Sequence, residues 1–222
     1  MNIAFIPARC GSKSIRFKNI KEFCGKPLIY WSLLTLEKSA FIDEVHVATD
    51  CNDISKIVES FNFKKVKVYM RDDENAKDES STEAVMIEFL QKNDFNADDL
   101  FLLVQATSPT TTTQDIDVAI KKLKDENKDS LLSVVREKKF FWDDNANPIN
   151  YDFRSRPRRQ DFNGILLENG AFYINRVANV LRDKNRLSGE IAFYEMQDYN
   201  NIDIDEEVDW AIAETYMKEY VL

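Results

Sequence analysis

Asn2-Ile3-Ala4-Phe5-Ile6-Pro7, followed at once by Ala8-Arg9-Cys10-Gly11-Ser12-Lys13, is the stretch on which the fold turns. The first six residues are apolar, short in run and rich in β-branched and aromatic side chains, which predicts a buried strand. The next six carry a glycine, a hydroxyl and cations and predict a turn. Within residues 27–39, Leu28, Trp31, Leu34 and Leu36 recur at near-helical spacing and predict a helix, and a second strand is expected at 45–49. The same alternation continues outward. Further strands are expected at 65–70, 100–105 and 131–135, and helices at 52–61, 81–91 and 113–127. Strand, helix and strand in repeated order predict an α/β protein with a mostly parallel sheet covered on both faces. In such sheets ligands bind beyond the carboxyl ends of the strands, so the loops after Pro7, Thr49 and Gln105 are the first places to look.

The alternation fails over about 137–168, a stretch rich in Arg, Asn, Asp and aromatics that contains Pro148 and Pro157. That is too long for an ordinary connection. It reads as an inserted lobe of a single domain spanning 1–222. Its Phe140, Phe141, Trp142, Tyr151, Phe153 and Phe162 need a surface to cover, either a second subunit or one another. Strands are expected again near 170–175 and 191–196, and a last helix at about 206–220.

Composition narrows the function. The 222 residues are 44% hydrophobic and 31% charged, which suits one globular domain. Thirty Lys and Arg against thirty-nine Asp and Glu leave a net charge of −9, a poor balance for tracking nucleic acid or an anionic membrane. The longest apolar stretch, Ile3 to Ala8, falls far short of the roughly 20 residues a helix needs to cross a bilayer. The amino terminus lacks the pattern of a signal peptide. Cys10, Cys24 and Cys51 are too few and too scattered for a disulfide framework or a zinc site, so a reduced, cytoplasmic protein is expected. The lone His46, in Val45-His46-Val47, has no recognisable catalytic partner and is expected to be structural.

Against this acidic average, Arg9, Lys13, Arg16, Lys18, Lys21 and Lys26 face Glu22 alone. Following the first strand, backbone N–H groups, Gly11, Ser12 and these cations suit a polyphosphate, although the spacing is not that of a Walker A loop; a solvated basic loop fits as well. In Arg154-Ser155-Arg156-Pro157-Arg158-Arg159-Gln160 the guanidiniums call for anions: phosphate, carboxylate, or acidic side chains at a subunit interface. In Ile202-Asp203-Ile204-Asp205 an extended backbone puts both carboxylates on one side and both isoleucines on the other. Paired hard oxygens suit Mg²⁺; alternatively Asp205 caps the last helix. Gln105-Ala106-Thr107-Ser108-Pro109, with the threonines after it, reads either as a substrate-binding edge or as a helix-capping turn.

Taken in order, these pieces resemble the CMP-sialic acid synthetases, or acylneuraminate cytidylyltransferases. The resemblance runs from Ile6-Pro7-Ala8-Arg9-Cys10-Gly11-Ser12-Lys13 through Lys18-Asn19-Ile20, Lys26-Pro27-Leu28-Ile29, Thr49-Asp50 and Asp78-Glu79-Ser80-Ser81-Thr82. It continues in Gln105-Ala106-Thr107-Ser108-Pro109, Glu168-Asn169-Gly170-Ala171-Phe172-Tyr173 and Ile202-Asp203-Ile204-Asp205. Arg156-Pro157-Arg158-Arg159-Gln160-Asp161-Phe162 and Phe193-Tyr194-Glu195-Met196 are most similar to the animal-type branch and to bacterial enzymes acting on the deaminated sugar KDN. The chain departs from the family pattern at Cys10 and Ser14 in the phosphate loop. Thr110-Thr111 stand where many bacterial members have Leu-Arg, and Leu167-Glu168 where they have Arg-Pro.

The resemblance implies a three-layer α/β/α Rossmann-like nucleotidyltransferase fold with a small dimerisation lobe, a homodimer, and Mg²⁺ as cofactor. The implied reaction transfers CMP from CTP to the anomeric hydroxyl of a nine-carbon 2-keto sugar acid, N-acetylneuraminate or KDN, and releases pyrophosphate. By resemblance, Arg9, Ser12, Lys13 and Lys18 hold the triphosphate, and Asn19 and Ser81 seat the cytidine. Asp203 and Asp205 carry the metal. Gln105, Tyr173, Phe193 and Tyr194 line the sugar pocket, which Arg156, Arg159 and Gln160 approach, in cis or across the dimer. A cytidylyltransferase for the eight-carbon acid KDO and a non-catalytic nucleotide-binding module are the competing readings.

Overall fold

A computed structural model describes residues 1–11, 14–76 and 80–222. The chain runs β1 (Asn2–Pro7), a hairpin of β2 (Glu22–Phe23) and β3 (Lys26–Pro27), α1 (Leu28–Lys38), β4 (Glu44–Thr49), α2 (Asn52–Ser60), β5 (Val66–Met70), α3 (Thr82–Lys92), β6 (Leu100–Val104) and α4 (Thr113–Asp125). It closes with β7 (Ser130–Glu137), β8 (Ile165–Arg176), α5 (Val177–Asp183), β9 (Ile191–Glu195) and α6 (Glu207–Tyr216), which ends in a π-helical turn at Met217–Val221. Seven strands form one sheet in the order β5-β4-β1-β6-β8-β7-β9. β8 alone runs antiparallel to its neighbours, β6 and β7; the other pairings are parallel.

The layers follow from strand alternation. Ala4 and Ile6 of β1 face a core built with Ile29 and Leu33 of α1, Ile54 and Val58 of α2 and Ile116 and Ile120 of α4. Ile3 and Phe5 face the opposite core, formed with Met86 and Phe89 of α3 and Val177 and Val180 of α5. A strand buried on both faces has no polar side to show, which explains its continuous apolar run. The expected α/β/α architecture is therefore present. Alternation did not reveal β2, β3 or α5, which are too short to show a period, nor the length of β8, whose first residues belong to the polar lobe sequence.

The chain leaves β1 through α1 to β4 and leaves β6 through α4 to β7, so the two connections run toward opposite edges of the sheet. This switch opens a crevice at the carboxyl ends of the two strands. A third cluster closes one side of it: Ile15, Phe23 and Leu28 from the amino-terminal turn pack with Ile202, Ile204, Trp210 and Met217. The amino- and carboxyl-terminal parts of the chain thus share one apolar foundation.

The lobe packs partly on itself. Phe140 lies 4.1 Å from Tyr151 and 4.8 Å from Phe162 between ring centroids, and the Arg156 guanidinium sits 4.5 Å over Phe140. Trp142, Ile149 and Phe153 stay about half exposed.

One expectation is corrected. Cys10 and Cys51 are paired as a disulfide, with Cα atoms 5.3 Å apart. β1 and β4 are adjacent and parallel, and each cysteine lies in the turn after its strand, so a separation of 41 residues collapses to contact distance. No helix among the described residues is long and apolar enough to cross a membrane.

His46 is buried in β4, its ring 4.7 Å from that of Phe89, with Nε2 3.0 Å from Glu44 Oε2. Burial lowers the imidazole pKa from its ordinary 6.5, and the nearby Glu44 carboxylate only partly opposes this. The unfolded chain then binds the proton more readily than the folded one. This contribution to stability is full above about pH 6.5 and is lost as the pH falls below it. The melting temperature should fall between about pH 7.5 and about pH 5.5, and fall less in His46→Leu; equal losses in thermal melts of the two proteins would remove His46 as the cause.

Candidate active site

The turn after β1 rises over the end of β4, where Ala8 N donates to Ala48 O (2.9 Å) and Cys10 N to Asp50 Oδ1 (3.0 Å). Asn19, buried, donates through Nδ2 to Arg9 O (3.2 Å) and fastens the turn to the 3-10 helix Lys18–Ile20. Ser12 and Lys13 lie outside the described residues, as do Asp78 and Glu79.

Opposite stands the acidic segment. The two-residue alternation at 202–205 is the one a strand would give, yet these residues belong to no strand of the sheet. Ile204 N donates to Thr107 O (3.1 Å) in the loop after β6, and Ile202 and Ile204 are buried while the aspartates face outward. Lys18 Nζ joins the two sides, donating to Ile204 O (2.5 Å) and Asp205 Oδ1 (3.0 Å); Ser14 Oγ donates to Asp205 O. Asp205 is not the helix cap: Glu206 holds that position, and Asp209 Oδ2 accepts from the backbone N–H of Asp205 and Glu206. Partial desolvation, with the charges of Asp205 and Asp209, holds the Asp203 carboxyl above its ordinary value, against the Thr107 hydrogen bond and Lys18.

Between them lies a cavity of about 410 Å³, and among its lining residues are Arg9, Lys18, Asn19, Ser81, Gln105, Asp203 and Asp205, all singled out in the sequence. Arg71, Ser80, Thr82 and Thr107 line it too and were not assigned roles there. Arg71 follows β5, the edge strand two places from β1, beyond the loops that the topology marks for search. Its Nε and Nη2 donate to Ala48 O (3.0 and 2.8 Å), aiming a cation at the crevice. Ser81 is the N-cap of α3, its Oγ accepting from Ala84 N (3.1 Å), so the positive end of that helix faces the cavity.

A second cavity of about 300 Å³ shares Asp203 and adds Glu168, Asn169, Tyr173 and Asn201. Gly170, at φ +74°, lets β8 enter this rim at the register shift against β7. Asn169 is pinned there, accepting from Ser133 Oγ (2.7 Å) and donating to Asn200 O (3.0 Å). The Tyr173 hydroxyl donates to Glu168; burial, and then that carboxylate, push the phenol up to about 12.

The remaining sequence candidates lie elsewhere in this chain. Arg156 and Arg159 line a lobe cavity of about 650 Å³ with Phe140, Trp142 and Tyr151, and Gln160 stands exposed in the 3-10 turn Arg159–Asp161. Phe193 and Tyr194 are on β9, three strands from β6. Tyr194 donates to Asp115 Oδ1 (3.0 Å) and packs near Phe172, and neither residue borders the two shared cavities. Of the threonine-rich turn, Thr107 reaches the cavity, whereas Thr112 forms a capping box with Asp115 at α4.

Residues 3–220 match the family model described as cytidylyltransferase. The chain belongs to the cytidylyltransferase family. It is 37% identical to an N-acylneuraminate cytidylyltransferase of Oncorhynchus mykiss over 95% of its own length, yet spans only 49% of that relative. It is 28% identical to the CMP-N,N'-diacetyllegionaminic acid synthase of Legionella pneumophila, with 97% of this chain and 96% of that protein covered. The solved CMP:2-keto-3-deoxy-manno-octonic acid synthetase complexed with CTP superposes with a TM-score of 0.73 over 100% of both chains at 19% identity, a likeness of fold.

One wall of this family member's cavity hangs on a buried carboxylate. Glu88 of α3 accepts from Tyr69 Oη (2.5 Å), Asp72 N (3.0 Å) and Asn75 Nδ2 (2.6 Å), and so holds the chain that leads from Arg71 toward Ser80. Glu88→Ala orphans those donors and should cost about 2–3 kcal/mol of stability, and Glu88→Gln less, because its amide oxygen still accepts. Urea unfolding curves that coincide with wild type would refute this.

Proposed function

We propose that the protein transfers CMP from CTP to the anomeric hydroxyl of a nine-carbon 2-keto sugar acid of the N-acetylneuraminate or KDN type and releases pyrophosphate. The observation that carries this reading is the meeting of a cationic amino-terminal turn with Asp203 and Asp205 across one cavity. The similarity to N-acylneuraminate cytidylyltransferases over nearly the whole chain supports it.

Displacement at a phosphorus atom asks mainly for alignment and for neutralisation of charge on the transferring group and leaving oxygens. In this reading Arg9, Lys18 and Arg71 face the triphosphate, with Ser12 and Lys13 assigned the same role from the sequence. Asn19 and Ser81 seat the cytidine. Gln105 and Tyr173 meet the sugar acid, whose attacking oxygen lies toward Asp203, the residue common to both cavities.

The acidic pair fits Mg²⁺. Among the described residues no group of three or more potential ligands gathers, so the ion would rest on two hard carboxylates, substrate oxygens and water, the arrangement Mg²⁺ favours. Desolvation and the neighbouring carboxylates already disfavour ionised Asp203, and a cation relieves that. When bound, Mg²⁺ supplies positive charge to the phosphate oxygens. A homodimer belongs to the proposal, supported by the exposed Trp142, Ile149 and Phe153 beside Arg156 and Arg159.

The test is pyrophosphate release from CTP and Mg²⁺ with a panel of acids: N-acetylneuraminate, KDN, a legionaminate-type acid and KDO. Turnover should be fastest with a nine-carbon acid; preference for KDO, or CTP binding without turnover, would replace this reading. Asp203→Asn should lower kcat by roughly 10² or more with the fold intact, as loss of a preorganised charged group does.

A further inference from the structure

Glu83 follows Ser81 and Thr82 in the first turn of α3, on the nucleotide side of the crevice. Arg186 lies in the loop between α5 and β9, 103 residues away in sequence, yet its Nε donates to Glu83 Oε1 at 2.6 Å, with both side chains only about a quarter exposed. Burial alone would raise the Glu83 carboxyl, and the hydrogen bond from Arg186 leads the interactions that hold it below its ordinary value. The same guanidinium lies 4.9 Å over the Tyr173 ring, and Asn175 Nδ2 on β8 donates to the Arg186 carbonyl (3.3 Å). Tyr173 in turn donates to Glu168, and both border the second cavity.

One planar cation is thus clasped between the helix that caps the nucleotide side and the strand that walls the acceptor side. A surface ion pair contributes little, but this one is partly buried and stacked on an aromatic face, so its geometry is fixed by two elements at once.

We propose that Arg186 is a positioning residue: paired with Glu83 and stacked on Tyr173, it couples occupancy of the nucleotide subsite to the shape of the sugar-acid subsite. This rests on the function proposed above. Coupling between two ligands is reciprocal, so nucleotide binding strengthens acid binding by the factor that Arg186 transmits.

The experiment measures steady-state constants for wild type, Arg186→Ala, Arg186→Lys and Glu83→Gln with the best acid of the panel, together with their melting temperatures. Arg186→Ala should raise the acid constant about 5- to 10-fold when CTP is saturating and the CTP constant by the same factor when the acid is saturating, and leave the affinity of the otherwise empty protein for each ligand within about twofold. Arg186→Lys should recover only part of the loss, since an ammonium keeps the charge and not the planar stack. If Arg186→Ala fails to fold, Glu83→Gln carries the test, with a rise in acid KM of the same sign. A folded variant in which each ligand still strengthens the other as in wild type, or one in which the affinities of the empty protein fall together with the melting temperature, overturns the inference alone. Wild type that releases no pyrophosphate with any acid overturns both the inference and the function on which it rests.

Discussion

The site depends on one tie across the chain: the Lys18 ammonium on the Ile204 carbonyl and the Asp205 carboxylate. It joins residues 186 and 187 positions apart, and the apolar cluster of Ile15, Phe23, Leu28, Ile204 and Trp210 beneath it holds the two backbones close enough for the contact. An amine with three donors and no acceptor suits this place, because both things facing it are oxygen acceptors. The Ser14–Asp205 contact and the Ile204–Thr107 hydrogen bond reinforce it. With it, opposite charges share one rim at fixed separation, which is what a polyanionic ligand with a counter-ion requires.

The sheet order supplies the rest. Because β1 is central, the turn after it is flanked by the ends of β4 and β6 on either side. Backbone groups of β4 are recruited outward: the Ala48 carbonyl receives both Ala8 N and the Arg71 guanidinium. A single carbonyl thereby orients the turn after β1 and a cation that follows β5, two places from β1. On the other flank, Thr107 and Gln105 leave β6 directly into the cavity.

What could be read in the sequence follows physical range. Strands buried on both faces and helices with an apolar stripe write their period into neighbouring residues, so the layer order was legible, as were Lys18, Asn19, Ser81, Gln105 and the Asp203–Asp205 pair, which lie next to strand or helix ends. Features created by juxtaposition were not. Cys10 and Cys51 look scattered until two parallel strands set them side by side. Arg71 and Glu88 gain meaning only through Ala48 and the chain at 72–75, and Arg186 only through Glu83 and Tyr173. Phe193 and Tyr194, placed in the sugar pocket by resemblance, sit on the far edge strand, because β8 and β7 intervene.

The reversed direction of β8 has an architectural effect. A parallel strand would deliver its carboxyl end to the rim; β8 arrives there with its amino-terminal half, so Glu168 and Asn169 are reached straight from the lobe that precedes them, with Tyr173 further along the strand. Lengthening or recasting that excursion reshapes one wall of the crevice and leaves β1, β4 and their turns untouched. The fold thereby separates a half built on the central strands from an adjustable half, and under the proposed reaction the first would grip the nucleotide and the second would meet the acceptor.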